Sequence, residues 1–435
     1  MSAQPAIIPF GDAPPVALPV DRPVVPSPHS DVVRPGLCTL LAATAHADPG
    51  RVAFIDPKDK VGWSGRSPIT WTYGSAAEIV ARLASGMRQW RLAPASRVGL
   101  IAAAGSETVL SYLAIEAAGH IPCLLPLTWD EDALVAGIQA AGIQAVLTQS
   151  RIAGMLPAEG LRRVALRYFG LRYLAAFGPG VPDGVISLDG MVLDGHGGPF
   201  APSSAGLVTF AAADPTQPVY RPADALIASI AVHLATIRIA PRDRILTLLA
   251  PADLRGLVTG LGAALVAGAG LETCGPFDAA HLAEALARPG PTHLIVPAAL
   301  ERNLAASRCP RSLESVTLAH RLPTRLTTRL LAPGAVHGPR RVIDVLAFDE
   351  AALLTASRAD GDVAHFLADA HPLAPFPALL DIARDEDGRF AFRGRASKAS
   401  PLQRGIPPEK AADLWRAVPF AAKIFAGRAT EILRC

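Results

Sequence analysis

Two neighbouring acids, Asp349 and Glu350, follow the mainly apolar stretch 342–348. Carboxylate oxygens are the ligands that hard cations such as Mg²⁺ prefer. The pair is therefore a candidate metal site, and Glu350 is a candidate catalytic residue only if the protein is an active enzyme. Adjacent acids are also typical of a solvated turn, and both interpretations remain open.

A second candidate site lies around Asp253, at the entrance to the apolar segment 257–267. Small residues surround this entrance and leave space for a ligand pocket, although they equally favour tight helix packing. These small residues are Ala252, Gly256 and Gly260. Asp253 and Arg255 flank the entrance and are candidates to pair with each other. The segment 256–271 is too short and too rich in Gly and Ala to span a bilayer, so we interpret it as a buried helix.

The histidines are dispersed and show no metal-ligand spacing. His320 is a candidate for stacking or for binding an anion, but a histidine in a surface loop is the simpler interpretation. The sequence contains no GxSxG, HExxH or GxxxxGK[ST] motif, so it gives no sign of those hydrolase or nucleotide sites.

Strands and helices alternate around these residues. Continuous apolar runs, such as 97–103 and 207–210, predict strands of a parallel sheet that is covered on both faces. Segments with apolar residues at helical spacing, such as 74–90 and 223–237, separate these runs. The alternation predicts a doubly wound α/β fold. After about residue 340 short strands with polar turns, including the Asp-Gly hairpin signal at 387–388, predict a small β unit.

We expect four parts along the chain. Residues 1–36 contain nine prolines and form an extended arm or tail, either disordered or lying as a strap over the body or a partner. Residues 37–200 form a first α/β subdomain and 201–340 a second. Residues 341–435 form a small β subdomain.

The composition narrows the class of protein. The chain has 435 residues, half of them hydrophobic, and a net charge of only +3 with scattered arginines, which argues against nucleic acid as a partner. Five cysteines lie far apart with no CxxC pair, which favours a reducing compartment. We find no signal peptide and no membrane-spanning segment, so a cytoplasmic protein is expected.

Segments spread over residues 37–433 resemble, in order, the AMP-dependent synthetase family, which includes the adenylate-forming acyl-CoA synthetases. The segments are TYGSAAEIVARLASGMRQWRL at 72–92, SYLAIEAAGHIPCLLPL at 111–127, THLIVPAAL at 292–300, GRFAFRG at 388–394 and GRATEIL at 427–433. The resemblance implies two stacked α/β subdomains and a small β-barrel-like subdomain, with a ligand cleft where they meet.

The resemblance also shows where this chain departs from the family's phosphate loop. That loop is rich in Thr, Ser and Gly, ends in Pro-Lys-Gly, and binds phosphate through backbone N–H groups, hydroxyls and the lysine. The corresponding stretch here is 211–220, where Val219 replaces the lysine and Asp214 adds a negative charge. Thr216 is the remaining hydroxyl. We therefore predict a poor phosphate site, with Asp214 and Thr216 as remnants.

Three further family motifs are altered. The adenine-binding Gly-Gly-Ala-Pro corresponds to 319–322, so His320 and Arg321 occupy positions where the backbone approaches the purine. Tyr-Gly-x-Thr-Glu falls on 346–350, where Glu350, a magnesium ligand in the family, persists beside Asp349. Arg428 corresponds to the hinge before the family's C-terminal cap, which carries the adenylation lysine. Because the chain ends at Cys435, we expect that cap to be absent.

Three hypotheses on function result. The first is a non-catalytic pseudo-ligase that binds an acyl or aromatic carboxylate or a protein partner and needs no cofactor. The second is an active ATP-dependent acid–thiol ligase that uses Mg²⁺, ATP and CoA at a divergent site, with a cap supplied by another chain. The third is a structural interaction module, of which a homodimer is one form, with the proline-rich arm as the connector.

Overall fold

The computed structural model of the protein describes residues 36–101, 103, 105–200, 206–326, 330–334, 338–359, 363, 367, 379–385, 387–402 and 415–435. The predicted N-terminal arm, except for Gly36, lies outside the described residues. The described part contains two eight-stranded sheets and one five-stranded sheet.

The first sheet is parallel at its centre. Its strands, in spatial order, are β19 (Ser400–Pro401), β9 (Pro218–Arg221), β8 (Leu207–Phe210), β4 (Ile121–Leu124), β3 (Arg97–Leu100), β5 (Ala145–Gln149), β6 (Tyr173–Phe177) and β7 (Ile186–Ser187). The β8–β9 and β9–β19 pairs are antiparallel, and the other pairs are parallel. Every residue of β4, β5 and β8 is buried, because helices cover both faces, which explains the continuous apolar runs.

The second sheet combines distant parts of the chain. Its strands, in spatial order, are β16 (Ala352–Ser357), β15 (Arg341–Phe348), β13 (Leu313–Arg321), β12 (Thr292–Pro297), β10 (Arg244–Thr247), β11 (Gly270–Thr273), β1 (Val52–Ile55) and β2 (Thr70–Thr72). The outermost strands, β2 and β16, are antiparallel to the rest. This sheet therefore takes strands from both sides of the boundaries expected near 200 and 340, and that division of the chain stays a prediction.

The third sheet is small and antiparallel. Its strands, in spatial order, are β14 (Thr324–Arg325), β21 (Arg428–Arg434), β20 (Arg416–Phe425), β18 (Arg389–Arg393) and β17 (Asp381–Arg384). Four phenylalanines form part of its core: Phe348, Phe390, Phe392 and Phe420. The predicted α/β fold with a small C-terminal β unit is thus confirmed.

The helices pack on the sheets. They are α1 (Leu37–Ala47), α2 (Lys60–Ser64), α3 (Tyr73–Gln89), α4 (Ser106–Ala117), α5 (Glu131–Ala141), α6 (Pro157–Arg167), α7 (Leu188–Asp194), α8 (Ala223–Ile237), α9 (Leu254–Gly256), α10 (Ala263–Ala267), α11 (Ala279–Ala287) and α12 (Glu301–Ala305). A π-helical turn, Leu257–Gly262, joins α9 to α10. Helix α4 is buried along its whole length. None of the helices in the described residues is both long enough and apolar enough to cross a membrane.

The segment predicted as one helix at 257–267 departs from that prediction. Its first half has π-helical hydrogen bonding and only its second half is α-helical. Gly262 lies so close to Ile230 that an added Cβ would be 2.3 Å from Ile230 Cδ1. The missing side chain therefore lets this segment approach α8 closely.

Candidate functional site

The loop that corresponds to the phosphate motif joins β8 to β9 and is held together by internal hydrogen bonds. Asp214 accepts hydrogen bonds from the Thr216 amide (2.8 Å), from Thr216 Oγ1 (2.7 Å) and from Gln217 Nε2 (2.8 Å). The Thr216 hydroxyl and amide, with a smaller contribution from Gln217, lower the pKa of Asp214. The Thr216 hydroxyl, the one that remains of the motif, thus already donates its hydrogen bond to the Asp214 carboxylate.

The same loop has an unusual backbone. Ala212 and Ala213 have φ of +51° and +58°, in the left-handed region. This conformation costs an L-residue about 1–2 kcal/mol, whereas glycine adopts it freely. Trp129 Nε1 donates to the Ala213 carbonyl at 3.0 Å and helps to fix the turn. The conformation is one that a glycine-rich loop would favour, although alanines occupy it here.

Glu350 lies just beyond β15, is 7 % exposed and faces the start of α9. Its Oε2 accepts the Leu254 amide at 3.0 Å. Burial, and next the charge of Asp253, raise the pKa of Glu350 to about 7, against the opposing effects of Thr209 and Arg221. A substantial fraction of this carboxyl is therefore neutral near pH 7, whereas a cation ligand needs the ionised form.

Arg221 connects β9 to two distant segments of the chain, one of which contains Glu350. The residue is 1 % exposed, and its guanidinium donates to the carbonyls of Ala396 (2.7 Å), Glu350 (2.7 Å) and Ala351 (2.9 Å). Burial lowers the pKa of Arg221 to about 10, which leaves it a cation at neutral pH. The sequence alone does not single out this residue. A lone arginine before Pro222 carries no local signal of burial, because its partners come from distant segments.

The residues predicted to line a ligand pocket form the start of a helix. Asp253 Oδ1 accepts the Gly256 amide at 3.1 Å, and Asp253 Oδ2 lies 2.5 Å from Arg255 Nη2, the predicted pairing. A Cβ at Gly256 would lie 2.0 Å from the Ala250 carbonyl oxygen, so the backbone approach requires glycine. Ala252 is half-buried beside them. Asp253 therefore caps α9.

Gly260 lies deeper, within the π-helical turn. It is buried, and a Cβ there would contact Thr247 Cγ2 at 3.8 Å and Leu271 Cδ1 at 3.9 Å, which are ordinary packing distances. The position has room for a methyl group. Packing therefore does not require glycine at position 260, whereas the close backbone contact at Gly256 does.

The residues that correspond to the adenine motif contact other protein groups. His320 Nε2 lies 3.1 Å from Asp344 Oδ1, and Arg321 is exposed at the end of β13. Asp349 Oδ2 pairs with Arg434 Nη2 at 2.6 Å. Burial, opposed by Arg434 and Arg321, raises the pKa of Asp349. Arg321 and Asp349 are thus electrostatic neighbours.

Arg428 begins the last strand and is exposed. The two residues before it, Ala426 and Gly427, have φ of +49° and +70° and connect β20 to β21. Two successive residues with positive φ are typical of a two-residue hairpin turn. The segment expected to be hinge-like is therefore a hairpin turn of the small sheet.

The structure brings Asp253 and Glu350 together at one junction, with Arg221 and Thr209 beside them. Within the described ranges, no three His, Cys, Asp or Glu side chains are grouped so that they could hold a metal ion. The two acids at 349 and 350 face different partners, Arg434 and the Leu254 amide, so they do not form a joint site.

The predicted resemblance is confirmed by comparison with known proteins. Residues 41–168 match the family described as AMP-binding enzyme. This stretch of the chain is similar to the AMP-binding enzymes. No curated protein matches the chain in a sequence search.

Solved structures show the same fold. The anthranilate CoA ligase AuaEII, in complex with anthranoyl-AMP, has a TM-score of 0.72 at 11 % identity, covering 92 % of this chain and 77 % of that one. O-succinylbenzoate coenzyme A synthetase from Bacillus subtilis has a TM-score of 0.67 at 13 % identity, covering 91 % and 78 %. The Klebsiella oxytoca NpsA N-terminal subdomain, in complex with 3-hydroxyanthranilyl-AMSN, has a TM-score of 0.61 at 16 % identity, covering 92 % and 95 %. The described architecture is that of adenylate-forming N-terminal domains.

Proposed function

We propose that this relative of the AMP-binding enzymes is a non-catalytic pseudo-ligase. One observation carries the proposal: in the loop at 211–217, Asp214 accepts the hydrogen bonds that Thr216 would otherwise offer to a phosphate. A loop that satisfies its own donors with an internal carboxylate has little left to bind an anion.

Electrostatics supports the same conclusion. The pKa of Asp214 is lowered, so its side chain is an anion at neutral pH. An anion about 4 Å away would be repelled, by about 1 kcal/mol because this carboxylate is exposed to solvent. Val219 stands where the family has its lysine, so no cation from that position offsets the repulsion. The residues present therefore do not fit a triphosphate.

Magnesium fits poorly for a related reason. Glu350, the position of the family's metal ligand, is buried and its pKa is raised to about 7 by that burial. Its Oε2 already accepts the Leu254 amide. A hard cation would have to bind beside this hydrogen bond and ionise the carboxyl in a site of low dielectric constant. We derive no catalytic step through ATP or Mg²⁺.

The remaining role in this proposal is binding. Two of the similar structures hold aryl adenylates or analogues of them, anthranoyl-AMP and 3-hydroxyanthranilyl-AMSN. We propose that this chain keeps affinity for an acyl or aromatic carboxylate, or for a protein partner, without activating the acid. A cytoplasmic location is part of the same proposal.

ATP–pyrophosphate exchange with a panel of fatty and aromatic acids tests the proposal, and we expect no exchange. Thermal shift identifies the ligand class, because a ligand at a hundred times its Kd stabilises the native state by about 2.7 kcal/mol. We expect a shift with acids or acyl-CoA and none with Mg·ATP. Exchange above background with any acid would refute the proposal.

A variant sharpens this test. Asp214→Gly removes the internal acceptor and its negative charge, so it should gain affinity for pyrophosphate. Asp278→Gly is the control, because Asp278 is an exposed acid that caps α11 through the His281 amide. If both variants leave pyrophosphate binding unchanged, the internal bonding of Asp214 is not what prevents phosphate binding.

An active acid–thiol ligase with a divergent site is the second candidate. The observation in its favour is that Glu350 persists at the end of β15, at the junction with α9 and β8. This candidate uses Mg·ATP and CoA. The absence of Mg·ATP binding at millimolar concentration would exclude it.

A further inference from the structure

Arginines gather at one edge of the second sheet. Strands β10, β12, β13 and β15 are parallel, so their amino-terminal ends meet at the same edge. Three segments enter the sheet there: 238–243 before β10, 306–312 before β13, and 338–341 at the start of β15. We call these three segments the arginine edge, because they contain Arg238, Arg242, Arg308, Arg311, Arg340 and Arg341. These arginines are scattered along the sequence, and the sheet brings them to one surface.

Hydrogen bonds hold the entering segments side by side. The Arg244 amide donates to the Pro291 carbonyl at 3.0 Å, and the Thr292 amide donates to the Ser312 carbonyl at 2.8 Å. Arg244 pairs with Thr292, and Thr292 pairs with Leu313, so the three residues form one line across β10, β12 and β13. The segments before β10 and β13 therefore leave the sheet at the same level.

The register fixes the spacing of the row. Arg242 and Arg311 each lie two residues before that line. Only β12 separates the strands that they enter, so these strands are about 10 Å apart. Arg341 is the first residue of β15 and pairs with Ser315 on β13, one strand further. The row therefore extends over about 15 Å of the sheet edge.

Few acids lie beside these arginines. The acids in the arginine edge and in the two positions after each of its segments are Asp243 and Glu314. Asp243 Oδ2 lies 3.0 Å from His293 Nε2, and Glu314 Oε1 lies 3.0 Å from Arg340 Nη1. Within the described part of the chain, five of the six arginines make no salt bridge: Arg238, Arg242, Arg308, Arg311 and Arg341. The first four of these are exposed. The surface thus presents an excess of positive charge to solvent.

The residue types of the arginine edge narrow the class of anionic partner. It contains no Phe, Tyr or Trp that would stack on a nucleic-acid base. None of its large hydrophobic side chains is exposed, so it offers nothing to insert into a lipid bilayer. Guanidinium groups pair with carboxylates through two parallel hydrogen bonds. An extended peptide of about five residues spans the row of about 15 Å, with side chains on alternate faces.

We propose that the arginine edge binds an acidic segment of a partner protein, rich in Asp or Glu. Carboxylates on one face of that segment pair with the arginines before β10 and β13. The surface is separate from the Glu350 junction, because Arg341 begins β15 whereas Glu350 follows its carboxyl end. The proposal therefore does not depend on the proposed function.

Fluorescence anisotropy of the full chain with a labelled peptide tests the proposal. The probe is a peptide of alternating Glu and Ser, about twelve residues long, and the same peptide with Gln in place of Glu is the control. We expect the Glu peptide to bind at about 25 mM KCl and to bind much more weakly at about 250 mM, because salt screens exposed charges. We expect the Gln peptide not to bind.

Paired variants locate the binding. Arg308→Gln combined with Arg311→Gln should weaken binding of the Glu peptide about fivefold to tenfold, as two exposed ion pairs are lost. The matched control combines Arg162→Gln with Arg167→Gln, two exposed arginines of α6, and should bind like the unmodified chain. It removes the same charge from another surface.

Three outcomes overturn the proposal. The first is no binding of the Glu peptide by the unmodified chain at low salt. The second is an equal loss of binding in the two double variants, because net charge rather than the arginine edge would then be responsible. The third is tighter binding of single-stranded DNA of equal charge, or of phosphatidylglycerol vesicles, since the partner would then be of another class.

Discussion

Two buried carboxyl groups only six positions apart behave in opposite ways. Burial alone would raise the pKa of Asp344, but hydrogen bonds from His320 (3.1 Å) and from Arg358 Nε and Nη2 (both 2.8 Å) hold it well below its ordinary value. Glu350 has the Leu254 amide and Thr209 as its hydrogen-bond donors, and burial raises its pKa to about 7. The number and charge of the donors decide which effect is larger.

This difference in pKa distinguishes Asp344, which belongs to a structural network, from Glu350, which lies in a candidate site. Arg358 also pairs with Glu301 at 2.6 Å, and Glu301 accepts the amides of Leu330 and Leu331. The Asp344 network is thus closed by protein groups. Glu350 is an acid poised between two protonation states, as perturbed groups at functional sites often are.

The largest expected loss of stability is in the Asp344 network. Arg358→Met leaves Asp344 and Glu301 buried without their cation, so we expect the free energy of unfolding to fall by about 3–5 kcal/mol. Urea denaturation measures it. Arg340→Met is the control, since Arg340 is 70 % exposed in its pair with Glu314 and should cost at most about 1 kcal/mol. Equal losses in the two variants would contradict the comparison.

The next largest effect is a pH-dependent contribution of Glu350 to stability. A raised pKa means that Glu350 binds its proton more tightly in the folded state. Its contribution to stability is therefore present below about pH 4.5 and is lost as the pH rises to about 7. Over this range Glu350→Gln should gain about 3 kcal/mol relative to the unmodified chain. Urea titrations at successive pH values measure the difference.

Glu116 offers a second variant for this experiment. Burial raises its pKa to about 7 as well, so Glu116→Gln should show a pH dependence of the same sign, and the double variant should remove both contributions. A constant difference between Glu350→Gln and the unmodified chain across pH 4.5–7 would show that burial does not dominate at Glu350.

A smaller effect is expected at the cation beside Glu350. Arg221→Lys keeps the charge, but an ammonium cannot reproduce the planar fork that reaches three carbonyls on two segments. We expect a loss of about 2 kcal/mol in urea denaturation. Arg395→Lys, at a neighbouring arginine in the turn 395–397, is the control and should change stability by less than about 0.5 kcal/mol. An unchanged Arg221→Lys would mean that charge alone, rather than geometry, holds the junction.

The smallest expected change in stability is in the loop between β8 and β9. Ala213→Gly relieves a left-handed alanine, so it should raise stability by about 0.5–1 kcal/mol. Ala280→Gly, on the exposed face of α11, should instead lower stability by about 1 kcal/mol. Differential scanning calorimetry measures both. A loss in Ala213→Gly would show that the left-handed backbone carries no strain.

Much of the fold could be predicted because its signals are local. Helix α3 was expected at 74–90 and lies at Tyr73–Gln89, and the hairpin around Gly388 forms as expected. The Asp253–Arg255 pair was also suggested, since its members are two residues apart. Hydrophobic periodicity and turn chemistry act over a few residues, and a single sequence displays them directly.

The rest depends on residues that are distant in sequence. The burial of Arg221 requires Ala396, and the role of His320 requires Asp344 on another strand. The π-helical turn at Leu257–Gly262 follows the same apolar pattern as an α-helix, so periodicity does not distinguish them. The left-handed alanines of the loop carry no residue-type signal, because glycine or asparagine normally marks that conformation.

The pairing of β1 with β11 also has a consequence during synthesis. Phe54 lies beside Leu271, so the strand made first must wait for a partner more than 200 residues later. At about 5–20 residues per second, that wait is about 10–40 s on the ribosome. During this time the β1–β2 hairpin lacks the neighbour that completes its sheet. The chain is therefore exposed to misassembly and chaperone binding for longer at its beginning than at its end.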